Sequence, residues 1–225
     1  MLTEIYIKPE ILDAQNHKNL KIRPYNDYSF SKDAYIVPIS FDEALVAMKS
    51  LLVVFIQESA GEYTPAVILG NNETKNMLLD SDGTWKNEKY IPATIRSYPF
   101  GLGIANNSVE KFITVDTEAD ILKEPLGYNM FDDGLELSEK GKQALTFVHT
   151  VYSNIDKSKD ITKHINSLGI LKPATLTIVK DDKRREHYAK GFDESQKHAQ
   201  IDPWKESIDS GFAKEFEPIL LERMA

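Results

Sequence analysis

No uninterrupted apolar run in this 225-residue chain is longer than Leu51–Ile56. A membrane-crossing helix needs about 20 such residues, so that stretch is far too short to span a bilayer. Brief runs bounded by turn residues make short strands instead. The fold must therefore be assembled from many small elements around a shared core. Nothing covalent can staple that core. The chain has no cysteine, which removes disulfides, thiolate zinc, iron–sulfur clusters and a cysteine nucleophile together. A chain of this length can bury about 70% of its extended surface, enough for a core without staples. Its 41% hydrophobic and 28% charged residues are ordinary for a globular protein. The formal charge of −8 argues against nonspecific nucleic-acid binding, which needs lysine and arginine to displace counterions.

The start, Met-Leu-Thr-Glu-Ile-Tyr-Ile-Lys-Pro-Glu, is broken by Glu4, Lys8 and Glu10 and has no apolar stretch of the secretory type. The expected location is cytoplasmic, the alternative being the cell surface by a non-classical export route. The triplets Asn72-Glu73-Thr74 and Asn106-Asn107-Ser108 then read as polar loops.

The chain is expected to form one domain over residues 1–225. Residues 1–34 are polar, without a sustained period, and read as an irregular arm. A strand-rich core follows over 35–115. Tyr35-Ile-Val-Pro-Ile39 is a short strand that Pro38 confines to an edge or an end. Ser40-Phe-Asp-Glu43 is a capping box opening a helix over 41–50, with Phe41, Leu45 and Met48 on one face. Leu52–Gln57 and Pro65–Leu69 predict adjacent buried strands joined through Gly61, and Asn76–Asp80 predicts another. Ser81-Asp-Gly83 is a turn signal ahead of Trp85. Ile91–Phe100 and Phe112–Val115 are read as extended, with Gly101 and Gly103 marking a flexible strand exit.

Residues 116–140 form an acidic connector, whose eight carboxylates and two lysines carry −6 of the net −8. Residues 141–225 read as helical. Ser138 opens the longest helix, striped by Ala144, Leu145, Val148, Val151, Tyr152 and Ile155. A second helix near 161–168 stops at Gly169, a hairpin spans 175–189, and a helical pattern closes the chain over 202–223. The fold class is α+β: a strand-rich N-terminal half with a mainly antiparallel or mixed sheet, then a helix-rich C-terminal half.

Recognised catalytic patterns fail one by one. His17, His149, His164, His187 and His198 include no pair four apart, so neither a zinc helix nor another histidine metal site is expected. There is no Gly-x-Ser-x-Gly elbow. Gly141-Lys142 has Gln143 and Glu136 where a phosphate loop needs a hydroxyl and a glycine. Asp116, Glu118 and Asp120 would share one face of an extended segment. Such a trio suits either a divalent cation or a solvated strand edge that resists aggregation. No cofactor and no metal are expected.

One stretch departs from this background. Trp85-Lys-Asn-Glu-Lys-Tyr90-Ile-Pro92-Ala-Thr-Ile-Arg96-Ser-Tyr98-Pro99-Phe100 packs aromatics, an arginine and two prolines into one segment. Strand alternation would put Thr94, Arg96 and Tyr98 on one face and Ile95 on the other. Trp, Tyr and Arg dominate binding hot spots because they bring large area and directional donors at modest entropy cost. Two readings compete. Either Trp85, Tyr90, Arg96, Tyr98 and Phe100 form one recognition cluster within reach of Asp116, or the aromatics are core and Arg96 pairs with a carboxylate.

Leu69-Gly70, Asn76, Gly83-x-Trp85, Tyr90-Ile-Pro92-Ala93, Ile95-Arg96 and Tyr98-Pro99-Phe100 together resemble the signature of the SapC family, proteins associated with the bacterial surface layer. Val37-Pro38, Val54-Phe55, Asp116, Phe131-Asp132, Leu168-Gly169-Ile-Leu171 and the Gly211–Leu221 ending extend the likeness over about 35–222. Gly191-Phe192-Asp193-Glu194 departs from it, lacking the extra apolar residues usual before the acidic pair. The resemblance brings no catalytic residue. It implies an accessory protein, linked to surface-layer or peptide-modification systems.

The expected function is a non-enzymatic protein- or peptide-binding module, with Trp85, Tyr90, Arg96, Tyr98, Phe100 and Asp116 as ligand-binding residues. The alternative is a peptide-modifying enzyme or subunit in which Arg96 clamps a carboxylate and Asp116 or Asp193 is base or ligand. A structural lattice subunit is a third reading. The expected partner is a protein or peptide, with no nucleic acid and no transmembrane segment; homo-oligomerisation is left open.

Overall fold

Ser40 starts the first helix as its capping box requires: its hydroxyl accepts the N–H of Glu43 at 3.2 Å, and Ser40 itself is extended, φ −79° and ψ 161°. The computed structural model describes residues 5–58, 62–71, 73–104, 110–122 and 126–173, and the backbone of 178–180 and 186–188. Asn72, Gly61, the Asn106 triplet, the acidic pair at Asp193 and the closing helical pattern lie outside the described residues. The chain divides into two compact units, Met1–Lys163 and His164–Ala225.

In chain order the strands and helices are β1 (Pro9–Ile11), β2 (Lys21–Ile22), β3 (Ile36–Pro38), α1 (Phe41–Ala47), β4 (Leu52–Gln57) and β5 (Tyr63–Ile68). There follow α2 (Ala93–Arg96), β6 (Phe100–Ile104), β7 (Lys111–Asp116), β8 (Tyr128–Asn129), α3 (Glu139–Ser167), β9 (Ile178–Lys180) and β10 (Glu186–Tyr188). The fold class is α+β, with antiparallel pairing throughout the described sheets.

Two three-stranded sheets organise the first unit, ordered β3-β5-β4 and β1-β7-β6. In the first, Pro38 lies on edge strand β3, where a missing N–H costs no ladder bond. The neighbouring strands β4 and β5 pair from Leu52↔Ile68 to Gln57↔Tyr63, the adjacency their β-branched runs predict. In the second sheet, β6 and β7 pair from Phe100↔Val115 to Ile104↔Lys111. The arm over residues 8–34 contributes two short strands that its sequence gave no period for: β1 pairs with β7, and β2 with β8.

Several local expectations are corrected. Helix α1 buries Glu43, Ala44 and Ala47, while Met48 is 46% exposed. The small alanines let the helix lie close to the sheet, so the larger side chains fall elsewhere. Residues 76–80 form turns with a single Leu79↔Trp85 bridge in place of a strand. Asn76 there spends its side chain on Ser31 and on the N–H of Leu78. The Ser81-Asp-Gly83 turn is present, with Gly83 at φ +83°.

Helix α3 runs unbroken over 29 residues, replacing the two helices expected. Ser138 caps it by accepting the N–H of Gly141 at 3.0 Å. The buried stripe Val148, Val151, Ile155 continues as Ser158 and Thr162. These two satisfy backbone groups on other elements: Ser158 accepts the N–H of Phe41, and Thr162 donates to the carbonyl of Tyr63.

One core cluster gathers Val37, Ile39, Ala44, Ala47, Val67, Leu69, Trp85 and Ile95. A second joins Phe100, Val115, Met130, Phe131 and Val148. A third, of Ala93, Val151 and Ile155, ties the 93–96 turn to α3. The acidic connector keeps Glu118, Asp120, Asp132 and Asp133 exposed while Ala119, Met130 and Phe131 go inside.

The second unit begins in the last turn of α3. Gly169 ends it at φ +68°, its N–H bonding the carbonyl of Asn166, as a glycine beyond a C-cap should. Strands β9 and β10 pair antiparallel, Lys180 opposite Glu186, matching the hairpin expected there. Among the described residues, no helix is long and apolar enough to cross a membrane.

Candidate functional site

The segment read as a strand over 91–100 is a helical turn. Pro92 caps it at φ −54° and ψ 141°, and its carbonyl accepts the N–H groups of Ile95 and Arg96, both at 3.0 Å. Thr94, Ile95, Ser97 and Tyr98 are all buried while Arg96 is exposed, a pattern that alternation cannot produce. The reason lies in distant partners. The N–H of Ala93, orphaned at a helix start, donates to the Glu43 carboxylate 50 positions away. Thr94 donates to the carbonyl of Pro38. At the other end, the Tyr25 hydroxyl reaches the carbonyls of Ile95 and Tyr98, at 3.3 and 3.1 Å. The Tyr98–Pro99 peptide that follows is cis.

This turn, the Arg23–Tyr25 segment and α3 line an open cavity of about 270 Å³. Its walls include Pro24, Tyr25, Tyr98, Phe100, Leu122 and Phe147, which are aromatic or apolar. Three cationic side chains, Arg23, Arg96 and Lys140, also line it, and among the described residues no carboxylate does. The acidic connector supplies Ile121, Leu122 and Tyr128 to the lining and none of its described acids.

Arg96 is held in a defined pose. Its Nε donates to the carbonyl of Ile91 at 3.1 Å and its Nη2 to the Tyr90 hydroxyl at 3.2 Å. The guanidinium also lies 5.4 Å from the Phe147 ring centroid and 5.8 Å from that of Tyr90, within cation–π range. The Tyr90 hydroxyl also acts on the nearby Glu43 carboxylate, favouring its charged form. Burial pushes the Glu43 carboxyl above its ordinary value, against the opposing pull of the Ala93 N–H and the Tyr90 hydroxyl.

A separate polar junction lies behind the cavity wall. Asp116, fully buried at the end of β7, accepts the N–H groups of Ile7 and Lys8, each at 2.9 Å. It also accepts the Tyr98 hydroxyl at 3.1 Å. Burial first, and the Asp116 charge second, push the Tyr98 hydroxyl well above its usual range. Tyr98 stacks on Phe30 with centroids 3.8 Å apart.

The six residues singled out from sequence therefore divide. Arg96, Tyr98 and Phe100 line the cavity, and Tyr90 braces Arg96 from outside it. Trp85 does not line it: it is 7% exposed, edge-on to Tyr28, and its Nε1 has no hydrogen-bond partner. Asp116 does not line it either. Arg96 meets Tyr90, Ile91 and Phe147, while Trp85 packs with Tyr90 in the core around Ile95 and Asp116 is held by Tyr98. Asp116, Glu118 and Asp120 also fail to share a face, because the chain turns after Asp116 and the N–H of Ala119 bonds its carbonyl at 3.1 Å.

Sequence reasoning missed Arg23, Tyr25, Glu43, Lys140 and Phe147. Two left a trace. Phe147 sits one position before Val148 on the α3 stripe. Lys140 occupies the first turn of a helix, where the macrodipole disfavours a cation. Arg23 and Tyr25 lie in the arm, whose pattern carries no period.

No curated protein and no solved structure matches the chain. A family model described as SapC matches residues 12–194, a span that ends before Gly211–Leu221 and holds every residue lining the cavity. The motif that forms one cavity wall and the match over most of the chain agree: this chain belongs to the SapC family.

Proposed function

We propose that the chain is a non-enzymatic protein- or peptide-binding module, and that its binding surface is the groove between the Arg96–Phe100 turn and α3. One observation carries the reading: the segment richest in hot-spot residue types supplies Arg96, Tyr98 and Phe100 to an apolar cavity with a cationic lining. At about 270 Å³ the cavity falls just under the roughly 300–1,000 Å³ usual for small-molecule sites. That size suits one side chain of a longer partner better than a large cofactor. The enzymatic alternative draws less support, since Asp116 already accepts two backbone N–H groups and a tyrosine hydroxyl. In keeping with the family resemblance, the partner belongs to a surface-layer or peptide-modification system, and the module works in the cytoplasm.

The test is a synthetic pool of random heptapeptides equilibrated with the protein, retained peptides being read by mass spectrometry. Wild type should retain a subset that Ala144→Trp, which fills the cavity from α3, does not. Tyr128→Ala at the exposed mouth should retain less of it. Equal retention by all three proteins overturns the reading.

A further inference from the structure

We propose that the groove recognises an apolar or aromatic residue bearing a free carboxylate, the C-terminal end of a peptide; this rests on the groove being a peptide site. Three observations converge on it. First, among the described residues the lining holds Arg96 and Lys140, with Arg23 beside them, and no acid, in a chain whose net charge is −8. Cations gathered at one cavity against that overall balance favour an anionic group.

Second, Arg96 is pre-positioned. Its Nε and Nη2 are engaged by the Ile91 carbonyl and the Tyr90 hydroxyl, which leaves the Nη1 hydrogens to offer. The buried Glu43 carboxylate lies close enough to act electrostatically on both Tyr90 and Arg96. A guanidinium braced in this way loses little freedom when it binds, and its bonds to a carboxylate are charge-assisted. Tyr90 and Glu43 are thus positioning residues, acting on the ligand through Arg96.

Third, the space and its walls set the rest of the ligand. A cavity of about 270 Å³, walled by Tyr25, Tyr98, Phe100, Leu122 and Phe147, has room for one apolar side chain with its terminal group. An acidic side chain inside a peptide would bring the charge without the apolar body. A free terminal residue brings both.

The same chemistry could come from a small free acid, and the experiment separates the two sources. The random heptapeptide pool is prepared twice, with free carboxylate ends and with amidated ends, and N-acetylphenylalanine is titrated as competitor. The acid pool should be retained and enriched in terminal Phe, Tyr, Leu or Val, with the amide pool held about tenfold more weakly or less. Arg96→Ala should erase that difference. Lys140→Glu, an exposed charge reversal, should shrink it even where Arg96→Ala folds poorly. Tyr90→Phe should weaken acid binding and leave amide binding unchanged.

Equal retention of acid and amide pools overturns the carboxylate proposal while the groove reading stands. N-acetylphenylalanine binding as tightly as the best heptapeptide overturns the peptide end in favour of a small acid. Retention of neither pool above the Ala144→Trp background overturns the groove reading and this inference with it.

Discussion

The hydroxyl of Tyr98 donates to the carboxylate of Asp116 across 3.1 Å, with Tyr98 4% exposed and Asp116 fully buried. The bond locks the turn that walls the cavity to the end of β7. Through Ile7 and Lys8, the same carboxylate secures the N-terminal segment. Asp116→Ala leaves two backbone donors and a hydroxyl buried without an acceptor. It should cost about 3 kcal/mol or more, and Tyr98→Phe, which removes one bond, about 1–2 kcal/mol, both read from urea denaturation.

The same pair predicts an alkaline limit. The folded state holds the Tyr98 proton to a higher pH than the unfolded chain, which releases it near pH 10. Its contribution is therefore full below about pH 10 and is lost as pH rises further. Denaturation midpoints between about pH 9 and about pH 11 should fall more gently in Tyr98→Phe than in wild type. Parallel slopes would show that Tyr98 is no part of the limit.

Glu43 works at the acid end. Its folded pKa is raised above the ordinary 4.5, so the folded state binds the proton more tightly than the unfolded chain. The sign follows: stability from this group is greatest below 4.5 and is lost as pH rises through the raised value. Relative to Glu43→Gln, wild type should gain stability as pH is lowered from about 7 to about 4, measured by chemical denaturation. A difference that stays flat, or moves the other way, contradicts the assignment.

Arg96 is exposed, and its partners Tyr90 and Ile91 carry no opposite charge. Arg96→Ala should lower stability by less than about 1 kcal/mol. A thermal midpoint that collapses would mean the side chain holds the fold together and does not serve the groove.

Gly101 is where the chain leaves the turn, and a Cβ there would stand 2.9 Å from the Tyr6 hydroxyl and 3.2 Å from Thr114 Oγ1. That hydroxyl donates to the Phe100 carbonyl at 3.1 Å. Gly101→Ala should cost about 1–3 kcal/mol. Tyr6→Phe should relieve part of it, so the double mutant is less destabilised than the two changes added together. Strict additivity would place the clash elsewhere.

The local signals in the sequence were read correctly where a residue's role depends on its neighbours along the chain. Ser40 as a cap, Pro38 on an edge, the turn at Gly83, Gly169 beyond a helix end and the β4–β5 pair all rest on backbone geometry within a few residues. Family membership was legible for a related reason, since the motif is a matter of residue types and spacing along the chain. Tertiary structure decided the rest. Glu43, 50 positions away, turns the Pro92–Phe100 segment from a strand into a helical turn by taking the Ala93 N–H. Ser158 and Thr162 look like the end of an apolar stripe, yet they extend α3 because backbone groups of Phe41 and Tyr63 need their hydroxyls. The cavity joins Arg23, Arg96 and Lys140 from three separate segments, and no periodicity along one segment can register a meeting of that kind. Local bonds leave their mark on sequence; a partner supplied from a distant segment fixes a residue's role only once the chain has folded.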